Sequence, residues 1–286
     1  MIRCATRVLG LLQWLVLSGP CIGSTEEPPP SVAELKKLLR SKEEKVRDQA
    51  LLELASIAKE ESEQPRREVA EAAALALEDS SLVIRERAAR FLGKDFHPEV
   101  AVVQLCKALD QAREDMARMG RGALRPPRQG DEPGTGGDQT SDNEQKLKVA
   151  AAIIESLGNL PDDRSVAALV ETLRSIPPRS PPVVSLPLCR SLTELLALDG
   201  VEVVVQYLGS VESSGQSRGG RGPGGEDRDR ARPIHDLLGK LAAKRKIEDV
   251  PQWGEQAGAR WRRWLDQHGR SLPAKLGRVK IPKEGS

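Results

Sequence analysis

Aromatic residues are scarce in this sequence, at 2 % of 286 residues. Hydrophobic residues still reach 38 %, so the apolar content is mostly Ala, Leu, Val and Ile. Side chains of this size suit close helix-on-helix packing better than the aromatic-rich interior of a β-sandwich. The composition excludes a wholly disordered chain and favours an all-α class.

A large excess of one charge is also lacking. Lys and Arg total 44 and Asp and Glu total 42, for a formal net charge of +2. No strong overall field therefore draws the protein to nucleic acid or to an anionic membrane. Any recognition by charge has to be local.

Cysteine is too sparse for a disulfide framework. Of the four cysteines, Cys4 and Cys21 fall in the N-terminal segment, while Cys106 and Cys189 each lie in an apolar helical stretch. A repeat fold would place the last two in different repeats, beyond the roughly 7 Å between Cα atoms that a disulfide allows. We expect both to be free thiols.

The three histidines are scattered. His97, His235 and His268 do not share the short spacing of a helix-borne metal pair, and no Gly-rich loop follows a strand to hold a phosphate. Paired carboxylates such as Asp162 with Asp163 sit in turns, where helix capping explains them. We therefore predict no catalytic residue, no cofactor and no metal site.

The first 23 residues have the three-part plan of a secretory signal peptide. Arg3 and Arg7 precede an apolar run from Val8 to Leu17, and a break at residues 18–20 leads to small residues. We expect this segment to direct export to the periplasm or the cell exterior. Residues 24–30 form a Pro-rich spacer after it.

The apolar run is short for a membrane span, which needs about 20 apolar residues. Membrane contact is therefore expected only if the signal stays uncleaved as an anchor. A lipoprotein signal at Cys21 would need a small residue directly before the cysteine, and Pro20 makes that match poor.

Apolar residues recur at amphipathic-helix spacing, in pairs of segments, over residues 31–249. Ser31 with Glu34 forms a capping-box pattern before the first helix, and Gly93 and Gly158 follow later helices as C-terminal stops. We predict an all-α fold, an α-solenoid of about four to five antiparallel helix pairs. The apolar faces are Val32, Leu35 and Leu39 with Val46, Leu51 and Leu54; Val69, Ala73 and Leu77 with Ile84, Ala88 and Leu92; Val103, Leu105 and Leu109 with Leu147 to Leu157; Val166, Leu169 and Leu173 with Leu188, Leu192 and Leu195; and Val201, Val204 and Leu208 with Ile234, Leu238 and Leu241.

Two segments interrupt this pattern, at 113–142 and 209–229. Both are rich in Gly, Pro, Arg, Asp and Ser with almost no apolar residues, so burial cannot offset the entropy lost on ordering them. We predict two disordered inserts. Within the second, Arg218–Gly222 is similar to Arg-Gly-Gly segments that bind single-stranded RNA, but the acidic neighbours Glu226 and Asp227 favour a solvated linker.

The stretches Asp79–Gly93 and Lys146–Gly158 resemble HEAT repeats of the short, bacterial, phycobilisome-lyase-like type. The resemblance implies that small Ala pairs let helices approach, that an Asp caps a helix and that an Arg bridges to a neighbouring repeat. It assigns those last two parts to Asp79 and Arg85. The first pair departs from the pattern, with Glu43 and Glu44 in place of a turn Asp.

Three of the four tryptophans fall within residues 250–269, among several arginines. We interpret this segment as a capping helix that covers the open apolar end of the stack, followed by a basic tail over 270–286. The alternative is a partner-binding surface, because Trp and Arg are favoured at binding hot spots. The residues of that alternative are Trp253, Arg260, Trp261, Arg263 and Trp264.

Together these features predict an exported scaffold, monomeric and without catalysis of its own, that binds a protein or peptide partner outside the cytoplasm. One alternative is a lyase-like or enzyme-accessory protein, since similar repeats occur in proteins that attach or detach bilin pigments. Another is nucleic-acid binding through the Arg-Gly insert and the basic tail, which the near-neutral net charge makes the weaker expectation.

Overall fold

A computed structural model describes residues 30–60, 63–94, 97–123, 136–178, 180–216, 225–247, 249–254 and 256–273. The predicted signal peptide, nearly all of the Pro-rich spacer and most of the basic tail lie outside these residues. Within them all regular structure is helical, which confirms the predicted all-α class. Every helix in the described ranges is too short or too polar to cross a membrane.

The described residues form eleven α-helices, with a short 3-10 turn after α3 and another after α11. The helices are α1 Val32–Leu38, α2 Glu44–Glu60, α3 Glu63–Leu75, α4 Leu82–Leu92, α5 Pro98–Ala123, α6 Gly136–Gly158, α7 Asp163–Ser175, α8 Pro182–Leu195, α9 Leu198–Gln216, α10 Gly225–Lys244 and α11 Ala257–His268. Ser31 and Glu34 make the predicted capping box at α1, each side chain bonding the other's backbone N–H.

The first ten helices pack as five antiparallel pairs in two layers. Each odd-numbered helix packs on the even-numbered helix that follows it and on its odd-numbered neighbours. The even-numbered helices pack on one another in the same way and form the second layer. α11 continues the odd layer by packing on α9. Because every helix turns its apolar stripe toward both neighbours, one continuous core runs from Leu35 to Leu272. The predicted stack of helix pairs is therefore present.

The first predicted insert is largely helical. α5 continues to Ala123 and α6 begins at Gly136, so the prediction of disorder over 113–142 is wrong for these residues, while 124–135 lies outside the described ranges. The helices extend beyond the packed core because a formed helix propagates easily and ion pairs one turn apart each add about 0.2–0.5 kcal/mol. Those pairs are Arg118–Glu114, Lys146–Asp142 and Lys148–Glu144.

The second predicted insert is also shorter than expected. α9 continues to Gln216 and α10 begins at Gly225, so disorder over 209–229 is wrong for those stretches as well. The Arg-Gly segment falls within 217–224, outside the described residues. Gly209 is the predicted start of this insert. In the structure it lies inside α9, where another helix crosses it.

α11 is held against α9 by a close backbone contact and a hydrogen bond. A Cβ on Gly258 would lie 2.7 Å from the Cα of Gly209, so Gly258 has no room for a side chain, whereas a Cβ on Gly209 would meet nothing within 4 Å. Glu212 Oε2 accepts a hydrogen bond of 2.9 Å from the Gly258 backbone N–H. This carboxylate satisfies one of the unpaired N–H groups at the start of α11 and favours its positive dipole end.

A repeated glycine–serine contact joins the even-numbered helices. A Cβ on Gly93 at the end of α4 would lie 2.6 Å from Ser156 Cβ on α6, and a Cβ on Gly158 at the end of α6 would lie 2.5 Å from Ser191 Cβ on α8. The two serines also donate alike, Ser156 to the carbonyl of Ala89 and Ser191 to that of Ile154. Each carbonyl belongs to the residue one turn before the glycine. The same packing unit therefore occurs twice.

Replacing Gly158 with alanine is expected to destabilise the protein by about 2 kcal/mol, because the new methyl group overpacks a contact that has no room. Urea denaturation followed by circular dichroism measures the loss. Gly239→Ala is the matched control, since a Cβ there meets nothing within 4 Å. That change should stabilise α10 by about 0.5–1 kcal/mol. Equal effects from both substitutions would contradict the packing argument.

Candidate partner-binding site

The tryptophans predicted to bind a partner are mostly buried. Trp261 is 0 % and Trp264 3 % exposed, while Trp253 is half-buried. The rings of Trp253 and Trp261 meet His235 of α10 at centroid distances of 5.2 and 5.6 Å, and Trp261 meets Trp264 at 5.1 Å. These contacts hold α11 to the core. An exposed recognition surface is therefore wrong for Trp261 and Trp264.

The two arginines of the predicted site differ in exposure. Arg263 is exposed, and Arg260 is half-buried with its Nη1 donating to the Gln252 carbonyl at 3.3 Å. Neither forms an ion pair with a described carboxylate. Both lie on α11, and a role for them in partner binding stays a prediction.

An ion pair joins the first two helix pairs. Arg47 of α2 donates from Nε and Nη2 to the two carboxylate oxygens of Asp79, at 2.7 and 2.9 Å. Its Nη1 donates to the carbonyls of Ser41 and Lys42 in its own turn. Asp79 also accepts from the Ser81 backbone N–H at 2.7 Å, directly before α4. The bidentate geometry fixes the register of the two pairs.

The bridging arginine is Arg47, whereas the HEAT resemblance assigned that part to Arg85. Arg85 donates from Nε to the Asp79 carbonyl, in its own turn. Sequence reasoning missed Arg47 because the first pair lacks the turn Asp. A usable signal existed, since Arg47 and Arg85 are each the fourth residue of their helices.

Burial and hydrogen bonding act in opposite directions on Asp79. Burial alone raises the pKa of its carboxyl group, but the hydrogen bonds from Arg47 and the Ser81 N–H together outweigh that effect, so the pKa lies below its ordinary value. Only 6 % of this side chain is exposed. Asp79 is therefore an ionised, structural carboxylate.

A groove of about 720 Å³ lies where the α3–α4 turn meets α5 and the middle of α6. We call it the α4–α5 groove. It exists because α5 and α6 run on past the level at which the second pair turns. Buried apolar side chains form its floor and charged side chains its rim. The floor residues are Leu77, Ala112, Val149 and Ile153; the charged residues are Glu78, Arg85, Lys107, Asp110, Glu114, Asp115, Asp142 and Lys146.

Most charges on this rim already have partners. Lys107 Nζ lies 2.6 Å from Glu78 Oε1, and Lys146 Nζ lies 2.6 Å from Asp142 Oδ2. Lys107 lowers the pKa of Glu78 by hydrogen bonding and charge. Among the described residues, no carboxylate forms an ion pair with Arg85. Within the described part of the groove, Arg85 is therefore the one cation outside an ion pair.

The thiols of Cys106 and Cys189 are both free, as predicted. Burial raises the pKa of Cys189 to about 12 and that of the half-buried Cys106 to about 11. Since the thiolate is the reactive form, iodoacetamide at pH 8 should leave Cys189 unmodified, and Cys106 nearly so, until the protein unfolds. Mass spectrometry of a Cys4→Ser, Cys21→Ser variant measures this. Rapid native labelling of Cys189 would contradict its burial.

In the part of the chain that the structure describes, no three His, Cys, Asp or Glu side chains are placed to bind a metal. Neither protein-family models nor curated proteins match this sequence. The HEAT resemblance therefore stays a prediction.

Proposed function

We propose that this protein is an exported HEAT-like scaffold that binds a protein or peptide partner in the α4–α5 groove, without catalysis of its own. The observation that supports this is an apolar floor inside a charged rim. Binding sites commonly combine apolar contact area with a few polar groups that fix orientation. The volume of about 720 Å³ also falls within the roughly 300–1,000 Å³ typical of ligand pockets.

The groove suits an extended peptide better than a flat protein surface. Its two sides come from different helix pairs, so a bound segment would contact both at once. Small residues such as Ala74 and Ala108 line its sides and leave room for a partner's side chains. This arrangement favours a scaffold whose specificity comes from the groove rather than from the tryptophan segment.

The test is affinity purification of the tagged, natively exported protein, with mass spectrometry of its N terminus and its companions. We expect the chain to begin near Ser24 and to retain one stoichiometric companion. Ala108→Trp fills the groove and should release that companion. Val103→Trp is the matched control, because Val103 lies on the same helix, 48 % exposed and outside the groove.

Circular dichroism and urea midpoints confirm that both variants fold. A companion that both variants retain would contradict binding in the groove, and an intact Met1 on the purified protein would contradict export. Absence of any companion from the wild-type protein would contradict the scaffold proposal itself.

A further inference from the structure

Arg47 and Arg85 hold equivalent places in successive helix pairs. Each is the fourth residue of the even-numbered helix of its pair. Each also donates to the backbone carbonyl six residues earlier, Arg47 to Ser41 and Arg85 to Asp79. Both side chains therefore extend from the same helix position toward the turn that precedes their own helix. What Arg47 binds shows what an arginine in this place can bind.

The next helix pair supplies the carboxylate that binds Arg47. The Asp79 carboxylate, from the turn of the second pair, takes both Nε and Nη2 of Arg47. The guanidinium fork matches a carboxylate in this bidentate manner, and a lysine could not reproduce it. The carboxylate is thus the natural partner of an arginine in this place.

Among the described residues, no carboxylate binds Arg85 in this way. In the third pair the corresponding level is taken by the long helices α5 and α6, which form the wall of the α4–α5 groove. Arg85 lines this groove, and its Nε has turned back to the carbonyl of Asp79. The charge of Arg85 helps to lower the pKa of Glu78, but Glu78 already pairs with Lys107. The half-buried side chain of Arg85 therefore lies against the groove without an ion pair to any described carboxylate.

We infer that Arg85 binds the carboxylate of one acidic side chain on a peptide partner lying in the α4–α5 groove, in the way that Arg47 binds Asp79. This inference rests on the proposed scaffold function and names the class of partner. Five carboxylates against three cations line the groove, so a dianionic phosphate would meet repulsion. A peptide carrying one acidic residue and a nearby basic residue fits better, with the basic residue facing the acidic side around Asp115.

The test begins with selection from a phage-displayed library of random 12-residue peptides on the full-length protein. Enriched peptides are synthesised and measured by fluorescence polarisation. We expect each to contain Asp or Glu, and we expect Arg85→Gln to weaken binding about tenfold to a hundredfold. Changing the acidic residue of the peptide to its amide should weaken binding to the wild type equally, and add little further loss on Arg85→Gln.

Two further variants separate this role from general effects of charge and folding. Arg85→Lys keeps the charge without the fork and should recover only part of the affinity. Arg87→Gln is the matched control, because Arg87 lies on the same helix and pairs with Asp48 outside the groove; it should bind like the wild type. The peptide-side amide change keeps the test valid even if Arg85→Gln folds poorly.

The outcomes distinguish the two proposals. Peptides that bind the groove, as judged by loss on Ala108→Trp, but bind Arg85→Gln like the wild type would overturn the carboxylate role and leave the scaffold intact. Peptides without any acidic residue would do the same. If no enriched peptide loses binding on Ala108→Trp, then the proposed function fails, and the inference fails with it.

Discussion

Trp261→Ala should loosen the C-terminal end of the stack before the rest. Trp261 is 0 % exposed and contacts both His235 and Trp264, so its truncation is expected to cost about 3–5 kcal/mol. In a stack of repeats each helix pair contacts only its neighbours. The loss therefore falls first on α11, which packs mainly on α9.

Two probes of urea denaturation can measure this separation. Three of the four tryptophans lie between residues 253 and 264, so fluorescence reports mainly the end of the stack, whereas far-UV circular dichroism reports all helices. We expect the fluorescence midpoint of Trp261→Ala to fall well below its circular dichroism midpoint. Trp253→Ala, at a half-buried position, should produce a smaller shift. Coincident, unshifted midpoints for Trp261→Ala would contradict the role of Trp261 in holding α11.

The helix pairs could be predicted from sequence because their signal is local. Residues such as Leu105 and Leu109 repeat with the period of one helix face, and a short turn between two such faces implies an antiparallel pair. Gly93 and Gly158 marked helix ends for the same reason. Their second role, contact with a serine of the next even-numbered helix, has no local signal and emerged only from the packing.

The helical parts of the inserts are not predicted, because helices are recognised from apolar periodicity. The first half of α6 is mostly polar and is supported by ion pairs such as Lys148–Glu144, which that criterion does not detect. A glycine such as Gly209 does not show by its identity whether it ends a helix or lies inside one. In the structure Gly209 lies within α9, and Gly258 is the glycine whose missing Cβ lets the two helices approach.

The groove could not be predicted at all. It depends on how far α5 and α6 extend past the turn of the second pair, which is a property of three elements distant in sequence. The sequence leaves two interpretations of the tryptophan segment, because Trp and Arg are common at binding sites but Trp is also an efficient core residue. Burial, which sequence alone does not give, decides between the two for Trp261 and Trp264.

Asp79→Asn should destabilise the protein by about 3 kcal/mol at pH 7, the low end for breaking a buried ion pair. The substitution leaves Arg47, whose side chain is only 10 % exposed, without its counter-charge while preserving the shape of the turn. The matched control is Glu155→Gln, which removes an exposed partner of Arg90 and should change stability by less than about 1 kcal/mol. Urea denaturation of both variants measures the difference.

This stabilisation should disappear in acid. Because the pKa of Asp79 is lower in the folded protein than in the unfolded chain, where it is about 3.9, the unfolded state binds the proton first. The contribution of the ion pair is complete above the unfolded pKa and is lost as pH falls through the folded pKa. Wild type and Asp79→Asn should therefore differ fully at pH 7 and progressively less below about pH 4. A difference that stays constant into acid would contradict a contribution from the charge of Asp79.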